Sequence, residues 1–119
     1  MAVIGRKIGR ADIRLVRGDT EQVGIRWRKR DTATGDTTPV DLREWTATLE
    51  LRSPDGTETW YSTECSQMTI DGYAIATIPP GALTGTEWDA RRTGQWKIVA
   101  TSPAGVVRTL GWGYYTLSD

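Results

Sequence analysis

Glu21-Gln22-Val23-Gly24-Ile25-Arg26-Trp27-Arg28-Lys29-Arg30 is the stretch on which the fold reading turns. Val23, Ile25, Trp27 and the Lys29 stem alternate with Gln22, Gly24, Arg26, Arg28 and Arg30. Successive side chains of a strand leave opposite sides of the pleat, so this period of two predicts a half-buried strand. It also predicts a row of three arginines, Arg26, Arg28 and Arg30, on the outward face. The same period recurs where Trp45, Ala47, Leu49 and Leu51 alternate with Thr46, Thr48, Glu50 and Arg52. It recurs again where Trp96, Ile98 and Ala100 alternate with Lys97, Val99 and Thr101, and more briefly at Ile13, Arg14 and Leu15. Eighteen threonines, spread through these segments, suit strands better than helices.

Turn signals separate the alternating runs. Ser53-Pro54-Asp55-Gly56 and Ser102-Pro103-Ala104-Gly105 each place proline where φ near −65° is wanted and glycine where φ is positive. Each is read as a hairpin. Asp71-Gly72 predicts a third tight turn, between Met68-Thr69-Ile70 and Tyr73-Ala74-Ile75-Ala76. Residues 31–40 read as a polar loop, and Pro79-Pro80-Gly81 ends a strand because proline donates nothing to a ladder. Residues 84–92 hold the one helical signal, a short turn with Thr84 or Thr86 as its N-cap. The sum is an all-β domain over residues 11–119, an antiparallel β-sandwich of immunoglobulin-like type with seven or eight strands and one helical turn. Residues 1–10, carrying Arg6, Lys7 and Arg10, read as an extended N-terminal arm. It is either a frayed end or a segment that orders on a neighbouring subunit.

A chain of 119 residues and 13.2 kDa suits one domain. Its composition removes much chemistry. Histidine is absent and there is one cysteine, Cys65. The sequence therefore supports no Ser-His-Asp triad, no Cys-His pair, no imidazole metal site, no thiolate zinc site and no internal disulfide. Cys65 lies in the polar run Thr63-Glu64-Cys65-Ser66 beside a carboxylate, which is the setting of an ordinary free thiol. Asp31, Asp36 and Asp41 surround Gly35 without the spacing of a calcium loop. Glu44 and Glu87 show no sign of the set separation that glycoside hydrolysis requires. The expectation is a protein that is not an enzyme, with no cofactor and no metal. Apolar runs fall far short of the ~18 residues of a spanning helix, and the start lacks the apolar core of a secretory signal, so neither membrane insertion nor export is expected. Arg17-Gly18-Asp19-Thr20 contains an adhesion-type tripeptide but reads as a turn between strands.

Net charge is zero, with 15 basic and 15 acidic residues, which argues against a general nucleic-acid binder. Along the chain the charge is segregated. Residues 1–30 carry a net +6, residues 31–89 a net −9 and residues 90–119 a net +3. Basic strands beside acidic ones would compensate internally. A dipolar subunit would instead associate with copies of itself head to tail, with salt weakening the assembly. Binding of nucleic acid through the arginine row is not expected, because the nearby Trp27 faces away from it.

Six tryptophans stand in for the missing phenylalanine. Trp27, Trp45 and Trp96 fall on apolar faces and read as core. Trp60, Trp88 and Trp112 are not assigned by pattern, and an exposed tryptophan row would suit a host-glycan-binding module. In Gly111-Trp112-Gly113-Tyr114-Tyr115 the alternation puts Trp112 and Tyr114 on one face and two glycines on the other. Trp112 and Tyr114 are read as core residues with an interface role, and the glycines as a place where another backbone comes close.

Several of these segments taken in order resemble a known family. A strand ending in Arg17-Gly18-Asp19-Thr20 is followed by a Trp-bearing strand, Asp41-Leu42, Trp45-Thr46-Ala47-Thr48-Leu49 and Ser53-Pro54-Asp55-Gly56. A Pro-Pro-Gly segment, Gly94-Gln95-Trp96-Lys97-Ile98 and a last hairpin ending in Gly111-Trp112-Gly113 complete the order. Over residues 11–117 this resembles the LtfC-like β-sandwich domains of tailed-phage virions from phages of actinobacteria. It is similar in outline to the N-terminal domain of phage baseplate upper proteins. Twelve arginines against three lysines, with no asparagine, fit a GC-rich coding genome. The resemblance implies a non-enzymatic virion structural protein, made in a bacterial cytoplasm, whose partners are other virion proteins and copies of itself. In the baseplate proteins a fibre-like region follows the domain, whereas this sequence ends at Asp119. The expectation is a tail or tail-tip component, with a capsid decoration protein as the alternative. Arg6, Lys7, Arg10, Arg26, Arg28, Arg30, Trp112 and Tyr114 are the expected contact residues.

Overall fold

In the computed structural model, which describes residues 9–119, the decisive stretch is not one strand but two. In chain order the strands are β1 (Gly9–Arg10), β2 (Ile13–Val16), β3 (Glu21–Arg26), β4 (Arg28–Arg30), β5 (Thr37–Pro39) and β6 (Thr46–Arg52). They continue as β7 (Thr59–Glu64), β8 (Gln67–Met68), β9 (Tyr73–Ile78), β10 (Thr93–Thr101) and β11 (Val107–Ser118). A single 3-10 turn, η1 (Thr86–Ala90), precedes β10. The break falls at Trp27, whose amide donates to the Gly72 carbonyl at 2.8 Å and whose carbonyl accepts from the Val40 amide at 3.0 Å. The amide's hydrogen bond still follows the β3–β9 register, but the carbonyl turns to Val40, and the chain continues into a separate β4–β5 ribbon. The polar loop expected over residues 31–40 accordingly contains a strand, β5.

The fold is all-β with two principal sheets. The larger runs β1-β11-β10-β6-β7, with β2 also on β11, and the smaller runs β3-β9-β8. An all-antiparallel arrangement was expected, and the structure corrects it: β1 and β2 both run parallel to β11. The chain's two ends are thereby zipped together. Arg10 lies opposite Trp112 and Ile13 opposite Tyr115. The last residues of the expected arm, Gly9 and Arg10, are therefore strand, while Arg6 and Lys7 lie outside the described residues. Seven of the strands have four residues or more, and the four shorter ones raise the number above the seven or eight expected.

The two proline turns do what their residues demand. Gly56 and Gly105 take φ of +78° and +85°, and each amide closes its turn on the carbonyl of Ser53 or Ser102. The helical turn begins differently from expectation. Its N-cap is Gly85, without a side-chain bond, because the Thr84 hydroxyl donates to the Gly81 carbonyl instead. Arg17 secures this region from across the molecule. Its guanidinium donates to the carbonyls of Leu83, Thr84 and Gly85 and pairs with Asp89 at 2.8 Å.

One core lies between the two sheets. Leu49, Leu51, Trp96 and Ile98 from the larger sheet meet Val23, Ala74, Ala76 and Ile78 from the smaller, with Leu42, Leu83 and Trp88 closing the ends. Removing each large apolar side chain from water contributes roughly 1.5–3 kcal/mol. Tyr115 is 1% exposed and its hydroxyl donates to the Arg91 carbonyl at 3.2 Å. Burial holds its phenol protonated, pushing the pKa up to about 12. The β10–β11 register shifts between Ile98 and Val99, so that Leu110 is an extra residue and both Leu110 and Gly111 are buried.

Exposed carboxylates lock the loops. Asp55 accepts from the Ser53 hydroxyl at 2.7 Å and from the amide and hydroxyl of Thr57, which holds its pKa at about 2. Arg43 does the same for Asp41, also to about 2, and Arg92 lowers that of Asp119. A carboxylate whose folded pKa lies below the unfolded value near 3.9 adds stability above that value and loses it as pH falls through the folded one. Urea midpoints are therefore expected to fall between about pH 4 and pH 2. Asp55→Asn should remove part of that slope. A midpoint independent of pH over this window would contradict the assignment.

Candidate functional site

Chemistry-bearing side chains are dispersed rather than gathered. Among the described residues no group of three or more His, Cys, Asp or Glu is placed to hold a metal. Asp31 and Asp36 sit in the β4–β5 loop, where Asp31 accepts from the Ala33 amide, while Asp41 is engaged by Arg43. The Arg17 of the adhesion-type tripeptide has its side chain mostly buried, 14% exposed, in the network around η1. Cys65 is half-buried, and burial with the neighbouring Glu64 pushes its pKa up to about 11. At pH 7.5 its alkylation by iodoacetamide should be much slower than that of a model thiol, recovering only as pH rises. Reaction at the model rate would show the thiol is not held protonated.

What the surface does present is arranged in cationic and aromatic groups. The first lies on the outward face of the larger sheet. Trp112 and Tyr114 were core candidates as well as expected contact residues, and the structure places both on the outward face. Gly111, Gly113, Tyr115 and Leu117 face inward, while Trp112 is half-exposed and Tyr114 is 42% exposed. This placement follows from Leu110, because the extra residue in β11 fixes which set of alternating side chains meets the core. Trp112 and Tyr114 meet edge to face at 5.9 Å. The Arg10 guanidinium stacks over both, 5.2 Å and 5.3 Å from their ring centres. Register sets Lys97 beside Trp112 and Glu50 beside Lys97, and Glu50 pairs with Arg52.

Gly113, opposite these aromatics, has the expected function, with the approaching partner now identified. A Cβ on Gly113 would collide with the carbonyl of Ala11 and with the Trp96 ring. The close backbone belongs to the chain's own N-terminal segment, not to the facing sheet. The Trp96 indole donates to that Ala11 carbonyl at 2.8 Å.

The second group lies along β3. Arg26, Arg28 and Arg30 are all exposed, but so is Lys29, which the alternation set on the inner face, because every residue of β4 is exposed. Arg26 stacks on Tyr73 at 5.0 Å and donates to the Asp71 carbonyl, and Arg28 donates to the Thr37 carbonyl. Only Arg26 belongs to the principal sheet, because Arg28 and Arg30 are carried by the ribbon. Arg10, Arg14, Arg26 and Arg28 rim one open cleft of about 590 Å3 between the N-terminal segment and β3, floored by Val23 and Trp96. Arg14 was not singled out by sequence. It joins this group because β2 returns beside β11, a pairing that no local pattern announces.

The remaining tryptophans divide between core and corner. Trp27 and Trp45 pack at right angles, 5.3 Å apart, with Lys29 over Trp27. Trp88 is 3% exposed and Trp60 packs edge-on against it at 6.4 Å. Arg91 covers both rings. A tryptophan row at Trp60 and Trp88 for stacking sugars is therefore not formed. A scan against protein-family models finds no match for this chain, and a search of curated proteins finds none either.

Proposed function

We propose that this chain is a non-enzymatic structural subunit of a tailed-bacteriophage virion, working through protein–protein contacts. On this reading its domain is an immunoglobulin-like β-sandwich, with β2-β11-β10-β6-β7 facing β3-β9-β8 across one core. The order of motifs in the sequence supplies the link to phage virion domains. The observation that carries the contact role is the solvent-facing cluster of Arg10, Trp112 and Tyr114, held on the seam where the two chain ends pair. Aromatic and arginine side chains are the types most enriched where proteins meet, because they bury large area at small entropic cost and add directional polar contacts. Site and fold agree in mechanism: a rigid sheet presents the residues, and symmetry in a particle multiplies a modest contact.

Two experiments test the reading. Gradient-purified particles of the phage carrying this sequence should contain the chain by peptide mass spectrometry, in copies of fixed stoichiometry. Removing residues 1–10, which takes away Arg6, Lys7 and Arg10 together, should cut its incorporation sharply. Particles that lack the chain would refute the virion role, and normal incorporation of the truncated form would remove the arm from it. A capsid decoration protein is the version of the same reading in which the copy number follows the shell rather than the tail.

A further inference from the structure

We infer that copies of this chain join side to side and head to tail, the basic β3 edge of one docking along the acidic β7 edge of the next. The inference rests on the assembly reading above and names the partner as a second copy. Its starting point is where the segregated charge of the sequence lands. In the smaller sheet β3 is an edge strand, and in the larger sheet β7 is one. They lie on opposite flanks, because β3 packs over β11 while β9 and β6 lie between it and β7. Both strands have six residues, so the ladders left open among the described residues match in length.

Each flank also carries the opposite sign. Beside β3, Arg14, Arg26 and Arg28 enter no ion pair among the described residues, and Glu21 is the one carboxylate lining the same cleft. Beside β7, Glu58 and Glu64 are exposed and likewise enter no ion pair, and they outnumber the one unpaired cation there, Arg91, which lies over the Trp60 ring. Among the described residues these charges are thus left uncompensated on two separate flanks, although the whole chain is neutral. A second copy supplies what each flank lacks. Strand addition satisfies the backbone groups of both edges, while the charges select β3-on-β7 over like-on-like contacts. Since the two surfaces differ, the contact is heterologous and propagates into a row or a ring rather than closing as a two-fold dimer.

The test uses the purified full chain in sedimentation velocity over a concentration series. Mass should grow with concentration at about 0.1 M salt and revert toward monomer at about 1 M, where screening shortens to roughly 3 Å. Arg26→Glu with Arg28→Glu, or Glu58→Arg with Glu64→Arg, should each weaken association by roughly tenfold or more. Mixing the two reversed variants should restore it, because each then presents the complement of the other. Arg14→Glu with Arg28→Glu is the substitute basic-edge variant should loss of the Arg26–Tyr73 stack impair folding. Circular dichroism checks that each variant keeps its strands. A monomer at every salt and concentration, a salt-insensitive dimer, or a mixture that stays monomeric would overturn the inference. A chain found in particles yet monomeric in solution would overturn this pairing and leave the virion reading intact. Salt-sensitive rows formed by a chain absent from particles would do the reverse.

Discussion

Trp96→Ala is expected to cost about 3–5 kcal/mol, the largest loss of any single core truncation in this chain. Trp96 is 3% exposed in the middle of β10, the central strand of the path β1-β11-β10-β6-β7. Its ring fills the space between the two sheets. Its indole also donates to the Ala11 carbonyl at 2.8 Å, so the side chain anchors the N-terminal segment as well as the core. Truncation removes both the apolar volume and the donor, leaving the part-buried Ala11 carbonyl without its partner. Trp96→Phe separates the two effects. It keeps most of the volume and loses only the bond, for about 1–3 kcal/mol. Chemical denaturation of the three proteins reads these values directly. A loss below 1 kcal/mol for the alanine variant would mean that the two sheets do not share this ring.

Gly113→Val carries the second largest expected effect, arising from insertion rather than removal. Every L side chain at this position drives a Cβ into the Ala11 carbonyl and the Trp96 ring. Backbone cannot swing aside as a surface side chain can, so the N-terminal segment must leave β11. Overpacking of this kind costs about 1–3 kcal/mol. The released segment should also lose the Ala11 amide bond to the Trp112 carbonyl and the Asp12 bond to the Tyr114 amide. Hydrogen exchange should therefore accelerate at residues 9–16 and along the facing edge of β11, while β6 and β9 keep their protection. Uniform protection in the variant would show that the N-terminal strands do not lie against Gly113.

The strength of local pattern in this chain explains what its sequence disclosed. Alternation in β6 and β10 is strict because each faces the core on one side and solvent on the other, and both strands stand where the period put them. The proline-glycine turns were equally legible, since their conformation is demanded by two residues alone. What stayed hidden depended on distant partners. Trp27 reads as the continuation of β3 until its carbonyl turns to the Val40 amide. The parallel return of β2 beside β11 joins residues about a hundred positions apart, and neither strand carries a mark of it. Alternation grouped Trp112 with Tyr114, but which face meets the core is decided by a single bulged residue, Leu110. Trp88 looks like a surface aromatic in a polar run, yet the short turn that carries it folds over the core.

The candidate site was legible as residues and not as groups. Arg10, Arg26 and Arg28 stood out by charge, but their convergence with Arg14 on one cleft requires the chain ends to meet. Segregation of charge along the chain was visible as arithmetic. Only the sheet order turns it into two flanks of opposite sign, because the pairings of β1 and β2 with β11, of β6 with β10 and of β3 with β9 join strands that are distant in sequence.

Electron cryo-microscopy of intact particles tests the central claim most directly. The account predicts repeated density for this two-sheet domain within the virion, with adjacent subunits touching through the Arg10–Trp112–Tyr114 face or the β3 and β7 flanks. Particles complete without that density would contradict it.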